Sequence, residues 1–343
     1  MHFLWDEALL PRWSLRSHFG PVRFVCGLLV AAFVGGGARG QENPCLERAI
    51  AVSVLTNDGK PVKGLGLENF RCKVDRRPVD VLSVTYDTGP RRVVIVLDAS
   101  SSARDNWKFA LAVAQTLVAQ AEQQASFALL TFADQVQEKA SFSEGRQGVM
   151  ERLSRLKNAT PKGKTALRDA MMEAVRMLSP ASVGDGLIVI SDGNENQSHT
   201  EESELRRALV AAGVRVFAFM VAAPLPIPSR IDTPEETLEQ SVLKALELSV
   251  LNEFVETTGG VSVSAVAPFD PDRAVSAVRY LEQPIAEFYR LELRLPEPLE
   301  KPGKLKVEVI DPTRAKRPNV RIYHPQQLPP CSWLLQPEES SRF

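Results

Sequence analysis

The chain has 343 residues, of which 41 are Lys or Arg and 42 are Asp or Glu, so its formal net charge is −1. This balance, without a stripe of clustered basic residues, argues against a nucleic-acid-binding surface. Because a chain of this length exceeds what one hydrophobic core usually organises, we expect about two folding units.

The first forty residues have the pattern of a secretory signal peptide. Arginines precede an apolar run over residues 24–34, and small residues follow up to Gly40. The run is too short to span a bilayer comfortably, which favours a cleaved signal over an uncleaved membrane anchor. We therefore expect residues 1–40 to be removed, leaving a secreted, periplasmic or cell-envelope protein without a transmembrane segment.

Three cysteines remain after this removal, so at most one intramolecular disulfide can form. Cys72 alternates with apolar residues in a predicted strand and is expected to be a buried thiol. Cys45 and Cys331 flank the mature chain and are the expected pair if export exposes them to oxidants. Three free thiols are the alternative.

Residues 41–88 are predicted to form an all-β segment. Apolar runs over 49–55, 70–74 and 79–86 are separated by turn sequences. A segment of this size is too short to bury a core of its own.

From residue 89 to residue 283, predicted strands alternate with amphipathic helices. Apolar strand-like runs begin near residues 93, 127, 187, 214 and 261, and apolar residues recur at helical spacing between them. Ser198 and Glu201 are predicted to form a capping box, and a proline-rich segment precedes a long helix predicted over 238–258. The alternation predicts an α/β fold with a doubly wound, mostly parallel sheet.

The β pattern returns after Pro284, with runs over 288–295, 305–310 and 320–323. Since neither terminal β segment is sufficient alone, we expect residues 41–88 and 284–328 to pair into one β-sandwich, with the α/β unit inserted between them. Residues 329–343 are predicted to be a disordered tail.

The most informative stretch is the apolar run Val93–Leu97, which ends at Asp98. Ligands of parallel sheets sit at the carboxyl ends of the strands. Asp98, Ser100 and Ser102 place one carboxylate and two hydroxyls in a single tight loop there. Hard oxygen ligands of this kind suit Mg²⁺, with Mn²⁺ or Ca²⁺ as alternatives, rather than zinc or copper.

Two later loops can converge on the same edge of the sheet. Thr165 precedes a predicted helix, and Asp192 follows the second buried strand. Together with the first loop they give a set that resembles the metal-ion-dependent adhesion site of von Willebrand factor type A domains, in residue type and in order. The five residues are Asp98, Ser100, Ser102, Thr165 and Asp192.

This resemblance implies a role for each residue. Ser100 and Ser102 would bind the metal through their hydroxyls, and the two aspartates and Thr165 would act directly or through water. With few direct carboxylates, the cation would keep an open position for an acidic side chain of a protein partner. The implied function is metal-dependent protein binding or adhesion.

The flanking segments resemble a narrower group. Residues 59–65, 68–70 and 258–260 are similar to the exported von Willebrand factor A-related proteins abundant in acidobacteria, and this resemblance covers nearly all of the mature chain. Lys164 departs from the pattern, because a small residue is common at that position and a cation there would weaken metal binding. Residues 75–78 also replace the usual acidic turn.

Three other functions compete with adhesion. Residues 163–165 resemble the end of a phosphate-binding loop, but the required upstream glycine and strand are missing, so no nucleotide site is expected. A hydrolase triad of Ser100, His199 and Asp192 lacks the nucleophile-elbow sequence, so no enzyme is expected. A structural envelope scaffold, with a vestigial or purely stabilising metal site, is the main alternative.

Overall fold

The computed structural model describes residues 43–222, 250–266, 271–311 and 319–335. The signal peptide predicted over 1–40 and the proline-rich segment lie outside the described residues, as does the first part of the long helix predicted over 238–258.

The secondary structure follows the predicted order of β, α/β and β segments. The strands are β1 (Glu47–Leu55), β2 (Phe70–Val74), β3 (Arg77–Asp87), β4 (Arg91–Asp98), β5 (Ala125–Phe132), β6 (Val136–Ala140), β7 (Gly186–Ser191), β8 (Arg215–Ala222), β9 (Ser262–Val266), β10 (Phe288–Arg294), β11 (Gly303–Val309), β12 (Arg321–Tyr323) and β13 (Gln327–Leu328). The α-helices are α1 (Trp107–Gln120), α2 (Gly145–Arg155), α3 (Leu167–Met177), α4 (Glu202–Ala212), α5 (Val250–Thr258), α6 (Pro271–Ala286) and α7 (Cys331–Leu334).

The first sheet is mostly parallel and has six strands, in the order β6-β5-β4-β7-β8-β9. Only the edge strand β6 is antiparallel to its neighbour. Strand β4 lies inside the sheet because its apolar run can be buried on both faces. Val94 and Val96 belong to one buried cluster, whereas Val93, Ile95 and Leu97 belong to another. The doubly wound, mostly parallel sheet predicted from the sequence is therefore confirmed.

The second sheet is antiparallel and has seven strands, in the order β12-β1-β10-β3-β2-β11-β13. Strands from the two terminal segments alternate in it, since β10 pairs with both β1 and β3, and β11 pairs with β2. The predicted pairing of the terminal segments is thus confirmed. The predicted sandwich is not, because all seven strands are hydrogen-bonded in a single sheet, which curls around a core of its own.

The chain leaves this curled sheet and returns to it at neighbouring strands. Strand β3 ends at Asp87 and β10 begins at Phe288, and these two residues face each other in the ladder. The elements of the α/β unit lie between them in the chain. Both connections therefore meet the α/β unit at the amino end of β4, the end opposite Asp98.

A second contact between the two parts of the fold forms where α5 ends. Gly259 has a φ of +73°, and a Cβ atom there would lie 2.2 Å from the carbonyl carbon of His324. At Gly260 a Cβ would lie 1.8 Å from the carbonyl oxygen of Val216. Thr258 accepts a hydrogen bond from the Val216 N–H with its hydroxyl. The Thr-Gly-Gly sequence is therefore needed for close backbone packing.

The end of the described chain differs from the predicted disordered tail. Residues 331–334 form α7, and Cys331 is disulfide-bonded to Cys45. This bond confirms the expected pairing, and Cys72 is a buried free thiol, as predicted. The covalent link and the hydrogen bond from the Cys331 N–H to the Leu299 carbonyl hold this segment in place. Residues 336–343 lie outside the described part.

Within the described ranges, no helix is both long enough and apolar enough to cross a membrane.

Candidate metal centre

Asp98 is the last residue of β4, and its carboxylate is 1 % exposed. Its Oδ1 accepts a hydrogen bond from the Ser100 N–H at 2.8 Å, and its Oδ2 accepts one from the Ser191 hydroxyl at 2.6 Å. Burial raises the pKa of Asp98 to about 6, despite these hydrogen bonds, and the nearby charge of Asp192 adds to the rise. The site thus holds a buried carboxylate that lacks a cationic partner among its hydrogen-bonding neighbours.

The two serines follow in the tight turn after β4. Ser100 is fully buried, and its Oγ lies 3.0 Å from the Oγ of Ser102. Ser102 is exposed and belongs to a 3₁₀ turn that leads into α1. The structure therefore brings the carboxylate and both hydroxyls together at one strand end, as the sequence predicts.

The loop that carries Thr165 is hydrogen-bonded to this turn. The Ser101 N–H donates to the Gly163 carbonyl, and the Lys162 N–H donates to the Ala99 carbonyl, both at 3.0 Å. Thr165 is itself 2 % exposed. The expected convergence of the first two loops is thus present.

The third loop begins with Asp192, directly after β7. The half-buried Asp192 accepts hydrogen bonds from the backbone and side-chain amides of Asn194. Asn196 then joins this loop to the second one, since its Oδ1 accepts from the Thr165 N–H at 2.9 Å and its N–H donates to the Thr165 carbonyl. All three loops are therefore linked by hydrogen bonds.

Sequence reasoning missed three residues that shape the site. Ser191 orients Asp98, and Asn196 holds the backbone of Thr165. Glu195 accepts hydrogen bonds from the N–H groups of Arg168, Gln197 and Ser198. Burial acts to raise the pKa of Glu195, but these bonds and the Ser198 hydroxyl outweigh it, so the pKa is lowered. The Ser-Asp-Gly sequence after an apolar strand was the available signal for Ser191.

The predicted capping box of Ser198 and Glu201 is wrong. Helix α4 has Glu201 at its N-cap, without a side-chain capping bond. The Ser198 hydroxyl instead accepts from the N–H groups of Arg168 and Asp169, in the first turn of α3. Ser198 thus caps a helix that precedes it in the chain, which ties the third loop to α3.

The donor set fits a hard divalent cation. It combines two carboxylates with the three hydroxyls of Ser100, Ser102 and Thr165, all oxygen ligands of the type that Mg²⁺ prefers. In the described part of the chain, no group of three or more His, Cys, Asp or Glu side chains could hold a metal by itself. A metal here would depend on the hydroxyls. The side chain of Lys164 is exposed beside them.

The residues of the alternative hydrolase triad do not form its hydrogen-bond chain. His199 is exposed, and its Nδ1 lies 3.4 Å from the Oδ2 of Asp169. Ser100 contacts Ser102, and Asp192 is bonded to Asn194. These three residues therefore have other partners in the structure.

Comparison with solved structures finds several that resemble part of the chain. An aerotolerance-related membrane protein from Bacteroides fragilis is 20% identical, with a TM-score of 0.41, over 57% of this chain and 98% of that one. BatB from Bacteroides thetaiotaomicron is 18% identical, with a TM-score of 0.39, over 56% and 98%. A von Willebrand factor type A protein from Catenulispora acidiphila is 11% identical, with a TM-score of 0.41, over 83% and 74%.

No curated protein matches the chain significantly. The family model of the von Willebrand factor type A domain matches residues 93–247, which begin in β4 and include all three loops of the candidate metal centre. Residues 93–247 of the chain therefore form a von Willebrand factor type A domain.

Proposed function

We propose that this protein is an exported, metal-dependent protein-binding module. A divalent cation, Mg²⁺ in the first instance, would be held by Asp98, Ser100, Ser102, Thr165 and Asp192. Von Willebrand factor type A domains often mediate protein–protein interaction and commonly bind a divalent metal. The bound ion would supply a positive charge with an open coordination position, and an acidic side chain of a partner would complete its coordination.

The observation that carries this proposal is the buried carboxylate of Asp98 among converging hydroxyls. A buried carboxylate normally has a compensating cation or a dense set of donors, because burial without either is costly. Among the described residues, Asp98 has donors only in Ser191 and Ser100, and the nearby Asp192 carboxylate adds repulsion. A divalent cation would remove this repulsion, so the local electrostatics favour occupation by metal.

The disulfide supports export. Disulfides persist in oxidising compartments and are rare in the cytosol, where thiols are kept reduced. The Cys45–Cys331 bond links the two terminal β segments. Together with the signal peptide predicted over 1–40, it favours a secreted, periplasmic or envelope location.

A non-enzymatic role is part of the proposal. Its support is the local bonding, since the hydroxyl of Ser100 faces another hydroxyl and not a histidine. The half-buried Asp169 accepts hydrogen bonds from the backbone N–H groups of His199 and Thr200, in the loop before α4. The binding proposal requires only a bound metal ion whose open coordination position a partner's acidic side chain can reach.

A thermal titration of wild type and Asp98→Asn tests the metal site. The folded-state pKa of Asp98 is raised, so the metal-free protein should lose stability as pH rises from about 4 through about 6, by about 3 kcal/mol at most. Mg²⁺ or Mn²⁺ should raise the wild-type midpoint at pH 7.5 and much less at pH 5, where protons compete. Asp98→Asn should melt at or above metal-free wild type and should not respond to metal.

Asp105→Asn is the matched control, because this exposed aspartate lies in the turn after Ser100 and Ser102. Its metal response should equal that of wild type. The proposed ligand set would be refuted if metal left the wild-type melting midpoint unchanged, or if it raised the midpoint of Asp98→Asn as well.

Partner capture separates adhesion from the scaffold alternative. Envelope proteins from the native host should bind the immobilised protein in Mg²⁺ and be released by a chelator, and Asp98→Asn should not retain them. Blocking carboxylates on those envelope proteins should abolish capture as well. If the amount of captured protein is unchanged by chelator and by Asp98→Asn, the result would favour a scaffold that binds through another surface.

A further inference from the structure

A cavity of about 170 Å³ lies at the end of the parallel sheet opposite Asp98. The carboxyl ends of α1 and α6 and the amino ends of β4 and β5 surround it, and its floor is apolar, formed in part by Leu117, Phe127 and Ile188. Strand β4 has eight residues, so about 23 Å separates the two ends. The cavity shares no residue with the candidate metal centre.

Glu282 of α6 contributes a carboxylate to the lining of this cavity. Its Oε1 is shielded from solvent and has no hydrogen-bond partner among the described residues. Burial raises the pKa of Glu282 to about 7, against the more distant charges of Arg279 and Arg146. Buried carboxylate oxygens are almost always hydrogen-bonded, so this oxygen calls for an explanation.

Most charged groups near Glu282 are committed elsewhere, and Arg279, which also lines the cavity, is exposed and forms no hydrogen bond with Glu282 Oε1. Arg146 donates to the carbonyls of residues 118, 121 and 122. Arg91, which also lines the cavity, pairs with Asp87 at 2.8 Å. Glu287 accepts from Tyr86 and forms an ion pair with Lys63. Glu282 is therefore the carboxylate of the lining with an unused buried acceptor.

We propose that this cavity binds a small organic monocation, an ammonium or amidinium group on an apolar body, with the charge at Glu282. A carboxylate oxygen can only accept, so its partner must be a donor, and a charged donor gives the stronger bond. The apolar floor favours a hydrocarbon or aromatic body over a hydrated metal ion. The volume is close to that of cavities of about 150 Å³ that bind benzene.

The carboxylate can present either oxygen to such a ligand. The terminal torsion of a glutamate is broad, so the carboxylate can turn at low cost and bring the shielded oxygen to a donor in the cavity. Gln124, which also lines the cavity, is exposed and marks its open side. Because the apolar lining and Glu282 lie on different elements, a ligand would place its apolar body against Leu117 and Phe127 and its charged end beside α6.

Benzamidine is the probe, with neutral benzamide and anionic benzoate as analogues of the same shape. Calorimetry or chemical-shift titration on the full chain should show benzamidine binding more tightly than benzamide, and benzoate least tightly. Glu282→Gln should weaken benzamidine binding about tenfold or more, because a charged hydrogen bond becomes a neutral one. The same substitution removes an unpaired buried charge, so its melting midpoint should be at least that of wild type.

Two further variants keep the interpretation specific. Glu122→Gln removes an exposed carboxylate at the same cavity. This variant should bind benzamidine with wild-type affinity, because the proposed attraction is a direct contact with Glu282 and not the overall negative charge of the cavity. Asp98→Asn should also bind benzamidine normally, since the inference is independent of the metal site. Equal binding by wild type and Glu282→Gln, equal binding of benzoate and benzamidine, or no benzamidine binding at millimolar concentration would overturn the proposal.

Discussion

Replacing Gly259 with alanine should destabilise the protein by roughly 3 kcal/mol or more, since the added methyl group meets backbone atoms. A Cβ at this position would lie 2.2 Å from the carbonyl carbon of His324 and 2.5 Å from the nitrogen of Pro325. Backbone atoms cannot rotate away as the end of a side chain can. The contact between α5 and the segment before β13 would have to open. Urea denaturation of Gly259→Ala measures the loss.

Gly213 supplies the matched control. It also ends a helix with a left-handed backbone, at φ +64°, but no atom lies within 4 Å of its Cβ position. Gly213→Ala should therefore cost only about 1 kcal/mol, the price of the left-handed conformation. If Gly259→Ala cost no more than Gly213→Ala, the close approach to His324 would not be what requires glycine.

Removing the disulfide is the second change for which we expect a large effect. The Cys45–Cys331 bond joins residues 286 positions apart and so closes a loop around most of the described chain. Loop-closure entropy for a ring of this size predicts about 6 kcal/mol of stabilisation, and native disulfides commonly give about 2–5 kcal/mol. The double variant Cys45→Ser/Cys331→Ser should lose an amount in this range, measured by urea denaturation in oxidising buffer.

Reductant provides the same test on the unmutated chain. Wild type in reductant should unfold like the double variant, and the double variant should not respond to reductant. Cys72 is the control, because this free thiol is buried and burial raises its pKa to about 12, which keeps it in the unreactive thiol form. Cys72→Ala should remain sensitive to reductant. Identical urea midpoints for wild type and the double variant would contradict a stabilising bond.

Much of the α/β unit could be predicted because its strands are apolar on both faces. The run Val93–Leu97 is mostly β-branched and has no polar alternation, which predicts a strand covered on both sides. A strand of this kind fixes where its carboxyl end lies, and Asp98 follows from that position. The convergence of the loops around Thr165 and Asp192 follows from the parallel sheet, in which β4 and β7 are neighbours.

The parts that could not be predicted depend on contacts between residues distant in the chain. Edge strand β6 has exposed polar residues and an irregular register with β5, so its apolar pattern is weak. A single curled sheet and a sandwich need the same alternating strands, and only the pairing of β10 with both β1 and β3 distinguishes them. The spacing of Ser198 and Glu201 predicts a cap for the following helix, although the Ser198 hydroxyl caps the start of α3.

The adjacent exits of β3 and β10 determine how the curled sheet would carry a mechanical load. A partner that pulled on the Asp98 face would apply tension to both connections together, since Asp87 and Phe288 are ladder partners. The two strands would be drawn in the same direction, so the hydrogen bonds between them would not be sheared. Shear would fall instead on the outer ladders with β1 and β2, where many bonds resist it at once. The Cys45–Cys331 disulfide would then limit how far the outer strands can slide along their neighbours, because it links the two terminal β segments covalently.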